Sequence, residues 1–314
     1  MPPSVSDSTE PARFTVIAPA KINLALSVGP LRPDGFHELR TVFQAVDLYD
    51  TVTVQAAAEL ELAMSGTEAA GLPTDPGNLA WRAAALLAER AGRAPCVRIE
   101  LVKRIPVAAG LAGGSADAAA TLVACNRLWR LGLTDTELTG LAAELGSDVA
   151  FALHGGTALG AGRGETLTEL PAGQLHWVLA AAAGSLSTPA VYAELDRQRT
   201  GQPTAEPAAL DALVGALRTG VPIELAPLLA NDLQPAALAL APYLRDTLAA
   251  GARLGALAGL VSGSGPTCAF LAADAGQARS LATALDADPS CRFARTVVGG
   301  VPGATVLKPT AAAG

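Results

Sequence analysis

Four short stretches of this chain carry residues whose types and spacing could do chemistry. The first is Pro106-Val107-Ala108-Ala109-Gly110-Leu111-Ala112-Gly113-Gly114-Ser115-Ala116, between a predicted strand and a predicted helix. Phosphate oxygens need several backbone N–H groups aimed at one point, side chains small enough for close approach, and a helix N-terminus behind them. This stretch offers those parts in that order. It lacks the lysine of G-x-x-x-x-G-K-[ST], and its spacing fails G-x-G-x-x-G, so neither a Walker loop nor a dinucleotide fold is expected. An ordinary glycine-alanine loop in an alanine-rich chain satisfies the same local pattern.

The second stretch is Pro19-Ala20-Lys21-Ile22-Asn23-Leu24. Arginine supplies all but three of the 22 basic residues, so Lys21, Lys103 and Lys308 stand out. A lysine among apolar strand residues could neutralise developing phosphate charge or hold a nearby carboxylate ionised. The third is Gly146-Ser147-Asp148-Val149. Its aspartate could orient a substrate hydroxyl and accept its proton, or could serve as a helix N-cap. The fourth, Ser262-Gly263-Ser264-Gly265-Pro266-Thr267, has small residues suited either to close approach or to a plain hairpin turn.

The elements that must position these stretches alternate between strand and helix. Residues 14–28 read as two strand segments broken at Ala18-Pro19-Ala20, and Arg32-Pro33-Asp34-Gly35 as a turn. Residues 41–55 read as β, 78–91 as an amphipathic helix, and 96–103 as a strand. A helix over about 115–130 follows the glycine-rich stretch. Thr134 and Glu137 then form a capping box for a helix that Gly146 ends. Residues 154–167 read as turns or a hairpin. Beyond Pro171 come a strand (176–183), alanine-rich helices to about 250, strands at 257–261 and 267–272, a helix at 275–286 and a strand at 291–298. The pattern is a layered α+β unit with a split β-α-β arrangement.

Composition bounds the rest. A chain of 314 residues, half of them hydrophobic, has material for two cored domains. A net charge of -7 disfavours nucleic acid as a partner. Cys96, Cys125, Cys268 and Cys291 form no C-x-x-C pair, which fits a reduced, cytoplasmic protein. No apolar stretch suits a membrane span, and His37, His154 and His176 are too scattered for a metal site.

Taken together and in order, the four stretches resemble the GHMP kinase family. Ala18 to Leu24, Arg32-Pro33-Asp34-Gly35-Phe36-His37-Glu38-Leu39, Asn78-Leu79-Ala80-Trp81-Arg82-Ala83, the glycine-rich loop, Gly146 to Val149 and Ser262 to Gly265 narrow the likeness. They resemble the branch whose small-molecule substrate is a cytidine diphosphate-linked methylerythritol. The resemblance implies a two-domain α+β fold with the active site in the cleft between domains. A ribosomal-protein-S5-like N-terminal domain (13–171) would follow a loose tail (1–12) and precede a ferredoxin-like C-terminal domain (172–314).

It also implies ATP-dependent phosphorylation of the substrate's 2-hydroxyl. Asp148 would be the catalytic carboxylate and Lys21 its partner. Asn23, Phe36, His37 and Tyr192 would meet the substrate, His37 reading cytosine and Phe36 stacking where relatives often carry tyrosine. Asn78, Trp81 and Lys103 would surround the adenosine. Ala108, Ala109 and Ala112 replace glycines common in the family loop, which a methyl group tolerates where φ is negative. Mg²⁺ would accompany ATP, with Ser115 a candidate ligand and the ligand set open. Homoserine or mevalonate as acceptor fits poorly with Phe36-His37, since neither carries a nucleobase. A silent nucleotide-binding relative fits poorly with the presence of Lys21 and Asp148. A decarboxylase of the same family stays open, as does the choice between monomer and homodimer.

Overall fold

The computed structural model describes residues 12–182, 184–200 and 210–308. In chain order, β1 (Arg13–Leu31), β2 (His37–Ala56) and β3 (Glu61–Ser65) precede α1 (Leu79–Arg90), β4 (Val97–Val102) and α2 (Gly113–Leu128). Next come α3 (Asp135–Leu145), α4 (Ser147–His154), β5 (Thr157–Gly162) and β6 (Thr166–Glu169). The remainder begins with β7 (His176–Ala181), α5 (Thr188–Arg199), α6 (Asp211–Thr219), α7 (Pro222–Leu225), β8 (Ala230–Asn231) and α8 (Gln234–Leu240). It ends with α9 (Leu244–Arg253), β9 (Ala258–Val261), β10 (Thr267–Ala272), α10 (Ala275–Asp286), β11 (Phe293–Val298) and β12 (Thr305–Val306).

β1 is one long strand where the sequence suggested two segments. Pro19 has no N–H to give to a ladder. The strand absorbs it by a register shift: Pro19 pairs with Tyr49, but Ala20 pairs with Val46. Asp47 and Leu48 bulge from β2, and the chain runs on through Lys21. The core of the first sheet runs in the order β12-β1-β2-β4-β3, with β5 on β2, β6 on β5 and β8 on β1. β8 and β12 come from late in the chain, so the two halves are interwoven at this sheet.

α2 packs across β1 and β2 and against α1 and α4. Its alanines at 116, 118, 119, 120 and 124 are all buried and let the helix lie close to the strands. α1 starts at Asn78, whose Oδ1 accepts from Ala80 N at 2.9 Å. The capping box expected at Thr134 and Glu137 is present on α3. The hairpin expected over 154–167 is β5–β6.

The second sheet has the order β11-β7-β10-β9, all antiparallel. Numbered along the chain within this sheet, the strands lie in the order 4-1-3-2, which is the ferredoxin-like order. β7 is buried on both faces, with Trp177 and Leu179 in the core shared with the first sheet and Val178 and Ala180 in the core under α5, α8 and α9. Trp177 Nε1 donates to Gln44 Oε1 at 2.9 Å, and Gln44 Nε2 donates to Thr157 Oγ1 at 2.9 Å. One buried amide therefore joins β7, β2 and β5. Gln44→Met keeps the length and removes both bonds, leaving an indole N–H and a hydroxyl unpaired in the core. It is expected to cost about 2–4 kcal/mol in denaturant unfolding; a cost below about 1 kcal/mol would show that the amide does not join the sheets energetically.

Candidate active site

A cavity of about 420 Å³ opens between the two halves. The glycine-rich stretch forms one wall, with Pro106 to Gly110 and Ala112 to Gly114 exposed to it. Its backbone turns through left-handed conformations at Ala108 (φ 50°), Gly110 (φ 74°) and Ala112 (φ 58°). Ala112 is the N-cap of α2 and supplies no side-chain cap, so the first N–H groups of that helix stay free for an anion. The condition under which a methyl group is readily tolerated, a negative φ, is not met at Ala108 and Ala112. There the methyl is carried in backbone that costs an L-residue roughly 1–2 kcal/mol. Leu111, Ser115 and Ala116 belong to the same stretch but do not line the cavity.

Gly110 is the point where the wall meets the rest of the site. Its carbonyl accepts from Lys21 Nζ at 3.1 Å and from Ser262 Oγ at 3.1 Å. A Cβ on Gly110 would run into the Ser262 carbonyl, so only glycine fits. The Ser262–Gly265 loop is thus both the β9–β10 hairpin turn and a close neighbour of the phosphate-binding wall. Asn231, in β8, fixes that loop by donating from Nδ2 to the carbonyls of Val261 and Gly263, each at 2.7 Å.

Lys21 is buried. Its ammonium also donates to Asn23 Oδ1 at 2.8 Å and lies 5.8 Å from the Phe43 ring centroid. Burial pulls its pKa below the usual lysine range, and the negative charge of Asp148 opposes that pull. Asn23 Nδ2 donates to Thr41 Oγ1 at 2.8 Å, which orients the amide toward the lysine. Asp148 lies in the first turn of α4 and lines the cavity. The N-cap of that helix is Gly146, with no side-chain cap bond, so Asp148 is not spent as a cap. Among the described residues no donor lies within hydrogen-bond distance of its carboxylate, which is available to a ligand.

Tyr192 also lines the cavity. Burial, and then Asp148, push its phenol well above the ordinary tyrosine range. Its ring stacks on His37, with centroids 5.2 Å apart and planes inclined at 28°. His37 Nε2 meets Asp196 Oδ1 at 2.9 Å. Phe36 is 53% exposed and lies beside the cavity, not on its lining, with the Arg163 guanidinium 5.0 Å from its ring centroid. Arg163 itself lines the cavity. Asn78 lines it too, although its amide is already engaged, donating to Pro73 O at 2.9 Å while capping α1. Trp81 packs on the core and does not reach the cavity lining.

Lys103 sits on the floor beneath the loop and is wholly buried. Its Nζ bonds Asp50 Oδ2 and, at 2.6 Å, Asp117 Oδ2. Desolvation pulls the ammonium pKa down while Asp117 and Asp50 pull it up, and the carboxylates prevail. Burial drives Asp117 well above the usual carboxylate range despite Lys103. Asp50, Asp117, Asn231 and Ser262 were not singled out individually as site residues from the sequence. Ser262 had a signal as part of a small-residue loop, whereas the two aspartates and the asparagine had none beyond a polar residue in an apolar segment.

The GHMP kinases N terminal domain family matches residues 78–156, and the GHMP kinases C terminal family matches residues 213–290. The chain is 57% identical over 304 residues to 4-diphosphocytidyl-2-C-methyl-D-erythritol kinase of Mycolicibacterium gilvum, spanning 96% of this chain and 94% of that protein. It is 55% identical over 295 residues to the protein of that name in Streptomyces coelicolor, spanning 93% and 99%. Among solved structures, a 4-(cytidine 5'-diphospho)-2C-methyl-D-erythritol kinase superposes with a TM-score of 0.75 at 35% identity, over 91% of this chain and 99% of that one. A homoserine kinase from Cytophaga hutchinsonii shares the fold with a TM-score of 0.74 at 20% identity, over 97% of this chain and 100% of that one.

Two outcomes follow from the geometry. Ala108→Gly and Ala112→Gly relieve left-handed strain but loosen the unfolded chain by about 0.4–1 kcal/mol, so each is expected to stabilise by a net of about 0.5 kcal/mol. Denaturant unfolding of the single variants reads this, and destabilisation by either would contradict it. Lys21 is expected to lose its proton below the range of a free lysine, and at a still lower pH in Asp148→Asn, because the opposing negative charge is gone. With only three lysines in the chain, side-chain NMR titration resolves the shift; an unmoved or rising Lys21 pKa in Asp148→Asn would exclude the electrostatic contact.

Proposed function

Because the chain belongs to the GHMP kinase family, we propose that its cleft transfers the γ-phosphoryl group of ATP to the 2-hydroxyl of 4-diphosphocytidyl-2-C-methyl-D-erythritol, a step of the non-mevalonate isoprenoid precursor pathway. The observation that carries this reading is the meeting of Lys21, Asp148 and an uncapped helix N-terminus in one cavity. Relatives more than half identical along nearly the whole chain supply the substrate.

The phosphates of ATP fit the left-handed loop and the free N–H groups of α2, where Gly113 and Gly114 leave no side chain in the way. Among the described residues no three His, Cys, Asp or Glu side chains converge. Magnesium would be held by phosphate oxygens and water together with one or two protein oxygens, not by a cage of side chains. ATP supplies the phosphoryl group; the chain supplies position and charge.

A tertiary hydroxyl is far too weak an acid to be ionised by a carboxylate at neutral pH. Asp148 therefore orients the hydroxyl and takes its proton late, as the oxygen–phosphorus bond forms. Lys21, tied to the loop through Gly110, offers positive charge to the transferring group without having to move. The Tyr192–His37 stack, fixed by Asp196, and the exposed Phe36 ring are suited to hold the cytosine end. Asn23 holds Lys21 and stands on the substrate side.

Two further points belong to this reading. No helix among the described residues is long and apolar enough to cross a membrane, and all four cysteines are free, which supports a cytoplasmic enzyme. A net charge of -7 supports a small-molecule substrate over nucleic acid.

The test is incubation of the purified chain with Mg-ATP and, separately, the cytidylyl-methylerythritol compound, mevalonate, homoserine and galactose, reading ADP release and product mass. Phosphorylation of the cytidylyl compound alone is expected. Turnover of another acceptor instead would keep the fold and overturn the substrate, and release of carbon dioxide would indicate a decarboxylase. Asp148→Asn is expected to lower kcat by about 10²–10⁴-fold with ATP binding retained; an unchanged kcat would remove Asp148 from the mechanism.

A further inference from the structure

The wall of the cleft that would meet phosphate rests on an ionic group: Lys103 and Asp117, which also line the cavity, and Asp50, which does not. Lys103 directly follows β4, where the chain leaves for the glycine-rich loop, and Asp117 lies in α2, where the chain returns. Lys103 Nζ bonds Asp117 Oδ2 at 2.6 Å, across 14 residues that include the whole loop. Asp50, from β2, bonds the same ammonium through Oδ2. Through Oδ1 it also accepts the backbone N–H groups of Arg104 at 2.6 Å and Ile105 at 3.0 Å. Both ends of the loop are therefore tied to one buried cation.

The loop rests directly on this group. A Cβ on Gly113 would lie 3.2 Å from Lys103 Nζ and 3.0 Å from Ile105 Cγ2. Gly113 is also the first residue of α2 and lines the cavity. Any shift of the ammonium is thus passed to the N–H groups that face the ligand. Asp50, by contrast, does not line the cavity, and Asp117 Oδ1 is buried with no partner among the described residues. Stability alone is a weak reason for such a cluster, because a buried ion group is often no better than apolar residues of the same volume.

We propose that Asp50 and Asp117 are positioning residues for nucleotide binding, acting through Lys103, which they hold as a clasp closing the phosphate loop at its base. The proposal rests on the kinase reading of the same cleft. It assigns Lys103 to the phosphates' cradle, whereas the family resemblance set that lysine beside the adenosine. The two assignments separate cleanly, because a clasp acts on phosphates and a nucleoside contact acts on the nucleoside.

The experiment measures binding of ATP, ADP and adenosine to the full-length chain by calorimetry, for the unaltered protein and for Asp50→Asn, Asp117→Asn and Lys103→Met, with KM for ATP and for the acceptor alongside. Each variant is expected to weaken ATP and ADP by about tenfold or more and to leave adenosine within about threefold. KM for ATP should rise while KM for the acceptor stays. Loss of adenosine affinity equal to the loss of ATP affinity would overturn the clasp, as would Asp50→Asn with ATP binding intact. Asp117→Asn keeps the size of the side chain and one acceptor oxygen, so it decides the matter if Asp50→Asn does not fold. Failure of the unaltered chain to bind ATP would overturn the kinase reading and the clasp together. ATP binding without phosphorylation of the proposed acceptor would leave the clasp testable and overturn the substrate alone.

Discussion

The carbonyl of Gly110 is the constraint on which the site depends. It receives Lys21 from β1 and Ser262 from the β9–β10 turn, so three remote segments meet at one oxygen. No side chain fits at Gly110, which keeps the approach close. Because Lys21 N also donates to the Leu111 carbonyl at 3.1 Å, the strand is fastened to the loop by backbone as well as by ammonium. The position of the cation relative to the phosphate-binding wall is therefore set by the fold and not by a flexible side chain. A preorganised charge of this kind needs no rearrangement when negative charge develops in front of it.

The architecture explains how a buried lysine can be held there. Desolvating an ammonium is costly, and the cost is met only when its donors are satisfied and a negative charge is near. Asn23 Oδ1 and Gly110 O take two of its donors, and Asp148 supplies the charge from α4. Asn23 is held in turn by Thr41, whose hydroxyl donates to Ala25 O at 2.7 Å. This polar line runs beside buried apolar residues of the β1–β2 pair, where Ile22, Leu24 and Val42 are fully buried. α2 covers the long strands with buried alanines and is also the helix whose N-terminus faces the ligand. One element thus supports the lysine and binds its target.

Much of this was legible in the sequence. The glycine-rich loop, Lys21, Asp148 and the Ser262–Gly265 turn were identified from residue type and neighbours, and the structure gathers them in one cleft. Capping and hairpin signals at Thr134 and residues 154–167 were local, and local chemistry decided them. The misses have non-local causes. Asp50 and Asp117 lie 67 positions apart and become partners only through Lys103. Asn231 reads as one polar residue in a helical stretch, and its meaning comes from two carbonyls some 30 residues away. Pro19 looked like a break because the sequence does not show that β2 can bulge opposite it. The conformation of the loop alanines stayed open because composition says nothing about φ.

Those alanines sharpen the physical picture of the loop. An alanine at positive φ persists only where the surroundings over-determine the backbone. Here the surroundings are identifiable: Gly110 is pinned from two sides, Thr267 N meets Ala109 O at 3.4 Å, and Lys103 ties the loop's entry to α2. With both ends and the middle fixed, the residues between them have little choice of conformation, whatever side chain they carry. At two of the remaining glycines a Cβ would press on a neighbour, Gly110 on Ser262 and Gly113 on Ile105 and Lys103, whereas at Gly114 it would make only an ordinary contact with Leu79. Ala108 and Ala112 occupy positions where only the backbone conformation objects. Steric need is therefore concentrated at Gly110 and Gly113, and conformational need alone at Ala108 and Ala112. The tightest steric demand thus falls at the two residues that touch Lys21 and Lys103, the two buried ammonium groups on which the wall is built.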